Sequence, residues 1–208
     1  MKYKWLNKKS NNNLIIFFNG WGMDENVVKH LEYDDFDVLM FYDYNTLDTD
    51  FIFDNTKEYQ KINLISWSMG VMIATYFATK LSNLNKSVAI NGTLKPIDTD
   101  FGIHPKIYDL TIKRFNEQSC EKFINSMFSD KNLLENIENS RELDEQLSEL
   151  IAIKNYSANS NFKYNKVLIS NDDKIIPTKS QVNFWKTEPN ISSGHCPFFL
   201  FTKWSELL

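Results

Sequence analysis

A serine becomes a useful nucleophile only when its hydroxyl is exposed beside a base, and Ser68 has the local sequence to be exposed. Ser66-Trp67-Ser68-Met69-Gly70 follows the apolar, β-favouring run Lys61-Ile62-Asn63-Leu64-Ile65 and leads into Val71-Met72-Ile73-Ala74-Thr75-Tyr76. A strand, a small-x-Ser-x-small turn and an apolar helix in that order form a nucleophile elbow, with the serine at the tip of a sharp turn. The flanking positions must be small because the turn brings strand and helix backbones together. Gly70 meets this, and Ser66 stands where a glycine is more usual. The string is short, so the assignment depends on a base, an acid and an oxyanion hole in the chain order Ser, Asp or Glu, His.

The chain has three histidines. His30 and His104 lie before the last strand signals. His195, in Ser193-Gly194-His195-Cys196-Pro197, comes after them, and Pro197 suits the first turn of a C-terminal helix. His195 is therefore the expected base, on a loop at the carboxyl edge of a sheet. The segment Asn171-Asp172-Asp173-Lys174-Ile175-Ile176-Pro177 supplies two candidate acids. Such a carboxylate takes the imidazole Nδ1 proton and stabilises the imidazolium that forms. Asp173, four residues before Pro177, is preferred, which leaves Asp172 as a turn residue bonding its own backbone. An oxyanion hole needs two backbone N–H donors. Met69, after the nucleophile, is one, and Trp21 in Asn19-Gly20-Trp21-Gly22 is the other, its flanking glycines letting the backbone approach a substrate. Cys196 beside His195 is the rival nucleophile. Neighbouring residues rarely place thiol and imidazole productively, and no elbow surrounds Cys196, so a buried thiol is expected.

These residues need elements to hold them. Leu14-Ile15-Ile16-Phe17-Phe18 is a continuous apolar run ending at Asn19-Gly20, as a buried parallel strand should. Further strands are expected over 36–42, 62–65, 87–90 and 166–170. Helices are expected over 25–31 (capped by Asp24), 69–81 and 178–186 (capped by Thr178). Alternating strands and helices imply an α/β fold, a mostly parallel sheet with helices on both faces. Residues 107–156 break the alternation with helical spacing and no strand signal. This reads as a helical lid inserted in a single domain, 1–208, whose core is 1–106 and 157–208. Lying at the carboxyl edge, it would cover the crevice where open α/β sheets bind ligands.

Composition excludes several classes. A chain of 208 residues with 42% hydrophobic and 24% charged residues suits one globular domain with a substantial core. The net charge of −4 argues against nucleic acid, which needs a basic face. Lys113, Arg114 and Lys122 could share a helical side, although Glu117 and Glu121 lie among them and a mixed solvated face is expected. The charged N-terminal residues precede no apolar signal core, and no run reaches the ~20 residues of a membrane span. Two cysteines, Cys120 and Cys196, provide neither a disulfide framework nor metal-ligand spacing. A soluble cytoplasmic protein without metal or cofactor is expected.

Four segments together resemble the α/β-hydrolase superfamily, and within it the BioG-type pimeloyl-[acyl-carrier protein] methyl ester esterases. They are Phe17-Phe18-Asn19-Gly20-Trp21-Gly22-Met23-Asp24, Ser66-Trp67-Ser68-Met69-Gly70-Val71, Ala89-Ile90-Asn91-Gly92-Thr93-Leu94-Lys95-Pro96-Ile97-Asp98 with Gly102-Ile103, and Ser193-Gly194-His195-Cys196-Pro197-Phe198-Phe199. The resemblance spans essentially the whole chain. It implies Ser68 as nucleophile, Asp173 as acid, His195 as base, and the N–H groups of Trp21 and Met69 as oxyanion hole. Gly20 and Trp21 would bind substrate, with Trp21 lining an acyl channel. Many related hydrolases carry histidine where this chain has Asn19. The implied partner is acyl-carrier protein bearing a pimeloyl methyl ester, with Lys113, Arg114, Lys122 and Arg141 as candidate contacts. A general carboxylesterase or acyl thioesterase shares this chemistry, and a non-catalytic hydrolase-like binding protein would share the fold.

Overall fold

The computed structural model describes residues 1–47, 56–81, 83–130, 132–133 and 139–208. Its centre is a sheet in the order β1-β3-β2-β4-β5-β6. These strands are β1 (Lys2–Asn7), β2 (Asn13–Phe18), β3 (Phe36–Tyr42), β4 (Lys61–Trp67), β5 (Leu84–Ile90) and β6 (Lys166–Leu168). Only β1 runs antiparallel, paired to β3; the other pairings are parallel. The continuous apolar run of β2 has a direct cause. Leu14, Ile16 and Phe18 enter the core on one face of the sheet, while Ile15 and Phe17 enter the core on the other. Both faces are covered from Leu14 to Phe18, so those five positions are all apolar, and the polar Asn13 stands at the half-buried start of the strand.

On the first face, α1 (Gly70–Ala78) packs through Met72, Ile73 and Phe77. Tyr108 of α2 (Pro105–Lys113) and Leu150 and Ile153 of α4 (Leu143–Ile153) join the same core. On the second face, Val27, Val28 and Leu31 meet Phe198, Trp204 and Leu207. Helix α3 (Glu117–Ser126) is opened by a reciprocal cap between Asn116 and Ser119, and α5 (Thr178–Trp185) follows β6. No helix of the described residues is long and apolar enough to cross a membrane.

Several expected elements differ. β1 was not expected: its first three residues are exposed, and an edge strand half in water carries little apolar signal. The helix over 25–31 is a single 3-10 turn, Glu25–Val27, although Asp24 does cap it by accepting from Asn26 N–H. The helix over 69–81 ends at Ala78. The strand over 166–170 stops at Leu168, and Ser170 makes only a lone bridge to Ile191. Thr178 is not a cap. Pro177 holds that position, and the Thr178 hydroxyl donates to Ser170 O instead. After Pro197 there are 3-10 turns, Phe198–Leu200 and Trp204–Leu207, rather than an α-helix. Among the described residues the expected 107–156 segment holds α3, α4 and all but the first two residues of α2, which begins earlier, at Pro105; positions 131 and 134–138 lie outside the described residues.

Candidate active site

The parallel register brings the carboxyl ends of four strands together. Phe18 of β2 lies beside Ser66 of β4, Trp67 beside Ile90 of β5, and Ile90 beside Leu168 of β6. Trp21 follows β2, Ser68 and Met69 follow β4 and Asp173 follows β6, while His195 lies on a later loop brought alongside by the bridge between Ser170 and Ile191. Ser68, one residue past β4, has φ +56°, a left-handed conformation that costs a non-glycine residue about 1–3 kcal/mol. The turn is held by Ser68 N–H donating to Ile90 O at 2.9 Å and Val71 N–H donating to Ser68 O at 3.1 Å. Gly70 is needed for contact reasons. A Cβ there would stand 2.5 Å from the carbonyl oxygens of Phe18 and Asn19, which are backbone and cannot move aside.

The elbow aims the serine at His195. Ser68 Oγ lies 2.8 Å from His195 Nε2, and His195 Nδ1 lies 2.8 Å from Asp173 Oδ2. A carboxylate only accepts, so Nδ1 carries the proton and Nε2 is left to accept from the hydroxyl. Asp173 Oδ1 takes Ile175 N–H at 2.9 Å and Ile176 N–H at 3.1 Å, and Oδ2 also takes Gln181 Nε2–H at 2.8 Å. Four donors therefore converge on one carboxyl group. Asp172 faces away, accepting from Ser129 Oγ and pairing with Lys174, so it is not a turn residue bonding its own backbone.

Three further residues hold His195 and Asp173 in position. Asn91, at φ +45°, donates to His195 O at 2.8 Å and to Ser170 Oγ at 2.8 Å, tying the histidine loop to the acid loop. The Trp67 indole N–H also donates to His195 O, at 2.8 Å. Gln181 steadies the acid. None of the three has a role in the sequence reading, where Asn91 and Trp67 enter only as members of the segments that carry the family resemblance. The other histidines are elsewhere, His30 stacked on Phe199 and His104 capping α2.

Trp21, Ser68 and Met69 line one cavity of about 140 Å³, whose walls include Tyr108, Phe123 and Leu150 from the helical segment and whose rim carries Lys174. Among the described residues, neither the Trp21 nor the Met69 backbone N–H has a protein acceptor. Asn19 shapes the loop before them, accepting from Gly20 N–H and donating to Asp24 O. Gly20 faces the Trp67 ring and Ser68 Cβ rather than the cavity, so its role is to let the elbow and the loop approach. Such a site can run acyl transfer: attack by the serine oxygen, proton transfer through the imidazole, and two N–H groups for the oxyanion. Among the described residues no cluster of His, Cys, Asp or Glu could hold a metal ion.

Cys196 is buried with Trp67 and Phe198, and burial pushes its thiol pKa up to about 12. Cys120 is raised too, by burial against its bond to Gln146. Thiolate is the reactive form, and the buried Cys196 thiol stays protonated near pH 8. Iodoacetamide should leave Cys196 unmodified in the folded protein and label it on denaturation. Rapid native labelling with loss of activity would contradict this.

The basic candidates divide. Lys113 and Arg114 are exposed at the end of α2 and Lys122 is exposed on α3, so they occupy two helices rather than one side of one. Arg141 is buried, ion-paired with Glu149 and 3.4 Å from Asp43. It cannot serve as a surface contact. Unpaired cations favour water, and this one is held inside by two carboxylates.

Residues 1–207 match the protein family described as pimeloyl-ACP methyl esterase BioG. The chain belongs to the BioG family. A solved BioG structure from Haemophilus influenzae superposes with a TM-score of 0.90 at 31% identity, covering 100% of this chain and 99% of that one. A "Malonyl-[acyl-carrier protein] O-methyltransferase" of Bacteroides fragilis is 37% identical over 83% of this chain, but the chain spans only 36% of that relative's length. More distant structures share the α/β-hydrolase fold. They include a lipase-esterase related protein from Clostridium acetobutylicum (TM-score 0.63, 21% identity, 89% and 84% of the two chains). An esterase from Exiguobacterium antarcticum is another (TM-score 0.68, 13% identity, 93% and 87%). This member of the BioG family thus has the α/β-hydrolase fold.

Proposed function

We propose that this chain is a serine esterase that removes the methyl group from a pimeloyl methyl ester carried on acyl-carrier protein. The reading rests on the hydrogen-bonded chain Ser68–His195–Asp173 opening into an apolar cavity, in a protein of this family. Ser68 Oγ attacks the ester carbonyl as His195 takes its proton. The oxyanion is met by the Trp21 and Met69 N–H groups. Methanol leaves with the proton from His195, and water, activated by the same imidazole, releases the carboxylate and restores Ser68. No metal or cofactor is required by these steps. The methyltransferase name borne by the longer Bacteroides relative is compatible with this, because the match covers a minor part of that protein and a transferase adds the group that an esterase removes.

The 107–156 segment acts as a lid over the cavity, to which it contributes Tyr108, Phe123 and Leu150. The carrier, in the cytoplasm, docks near Lys113, Arg114 and Lys122, whose exposed charges suit an acidic partner. The deciding experiment incubates the purified protein with methyl pimeloyl carrier protein and weighs the carrier by mass spectrometry. Loss of one methylene mass with the acyl chain still attached supports the reading. Release of the whole acyl group as free thiol forms would make the protein a thioesterase, and no change would overturn ester hydrolysis of this substrate.

A further inference from the structure

The loop carrying Trp21 is held only in part by its own Asn19. Residues 139–149 take up most of its other polar groups. The Trp21 indole N–H donates to Gln146 O at 2.8 Å, and Gly22 N–H donates to Glu149 Oε2 at 3.2 Å. Asn139 Nδ2 donates to Gly22 O at 3.0 Å, and Ser140 donates to Asp24 Oδ2 through both N–H and Oγ. The second oxygen of Glu149 accepts Tyr44 N–H at 3.0 Å, and the Tyr44 hydroxyl donates to Asn19 O at 2.7 Å. One carboxylate thus bridges the loop after β2 and the loop after β3.

Glu149 is fully buried and bonded to Arg141. Burial pushes its carboxyl above the usual range, against the opposing pull of Arg141 and the two N–H donors. A buried ion pair is a weak source of stability, since a well-packed apolar pair of similar size does as well or better. What an apolar pair cannot do is accept two N–H bonds from two loops.

We propose that Glu149 is a positioning residue for the oxyanion hole. It fixes the Trp21–Gly22 peptide from the lid side while Asn19 fixes Gly20 from the sheet side, so that the Trp21 N–H presents to the cavity. Gly22, at φ +72°, takes a conformation that leaves room for this bond, its missing Cβ lying 3.0 Å from Gln146 Oε1. Because α4 also lines the cavity through Leu150, one helix sets both the cavity wall and the oxyanion loop. The inference rests on reading the Trp21 N–H as an oxyanion donor, and it is independent of which ester is the natural substrate.

The test uses the full chain, a short p-nitrophenyl ester and an alkyl boronic acid, which forms a tetrahedral adduct with an active serine. Glu149→Leu alone leaves the buried Arg141 with only Asp43, 3.4 Å away, as counter-charge and should lower Tm sharply. The double variant Glu149→Leu/Arg141→Met should regain part of that Tm, the Gly22 and Tyr44 N–H groups still lacking their acceptor, while kcat stays down by at least about tenfold with KM changed less than about twofold. Boronate affinity should fall by the same factor as kcat. A double variant with native kcat, or with lowered kcat and native boronate affinity, overturns the proposal. Should the double variant not fold, Asn139→Ala decides: on a half-buried residue it should cut kcat and boronate affinity by about threefold, and unchanged values overturn the proposal equally. Ser68→Ala runs alongside. Turnover retained there removes the site reading itself, whereas its loss beside a fully active double variant removes only this inference.

Discussion

Ser68→Ala should abolish ester hydrolysis, lowering kcat on a short p-nitrophenyl ester by about 10⁴-fold or more at unchanged fold. Alanine tolerates φ +56° no worse than serine, and the lost hydroxyl's partner is the His195 imidazole. Circular dichroism and Tm should therefore match the parent, so the loss can be read as chemistry. Trp21, Met69 and the cavity survive the change, and substrate binding should persist. Turnover within tenfold of the parent would remove the elbow as the seat of reaction.

Asp173→Asn should lower kcat by about 10⁴-fold, for a reason specific to this site. All four acceptor positions of the carboxylate face donors: two backbone N–H groups at Oδ1, and His195 and Gln181 at Oδ2. An amide must set its NH₂ against one of these pairs. Placed toward His195, it drives the imidazole proton to Nε2, which can then no longer accept from Ser68. Placed toward Ile175 and Ile176, it strands two N–H groups of the acid loop and unseats the carboxamide altogether. The second outcome also lowers Tm, so calorimetry beside kinetics distinguishes them. Near-native kcat in the Asp173→Asn variant would transfer the acid role elsewhere, with Asp172 the neighbouring carboxylate.

The elbow was legible because its constraint is local. Gly70 must be small so that it can pass under the carbonyls of Phe18 and Asn19, and that demand is written two residues from Ser68. His195 and Asp173 were found by chain order, because the order of strands in this fold dictates which loops can reach the elbow. Buried strands such as β2 declared themselves through unbroken apolar runs, whereas β1 did not, since an edge strand is half solvent. Arg141 was misread for a general reason: arginine in a polar helical segment is ordinarily on the surface. Here Glu149, eight residues on, and Asp43 from a distant loop hold it inside.

By itself the sequence determined the α/β architecture and singled out Ser68, His195 and Asp173, which the structure brings into one hydrogen-bonded chain; both follow from steric rules acting over a few residues or from the order of elements. Only the tertiary structure decided what holds those groups in place. Asn91 clamps the histidine loop, Gln181 the acid, and Glu149 the oxyanion loop, with partners up to 127 positions away in the chain. A single polar residue on an amphipathic helix has the same local signature whether it faces water or a buried N–H. Its partner comes from the packing of distant segments, and burial then makes that hydrogen bond costly to lose.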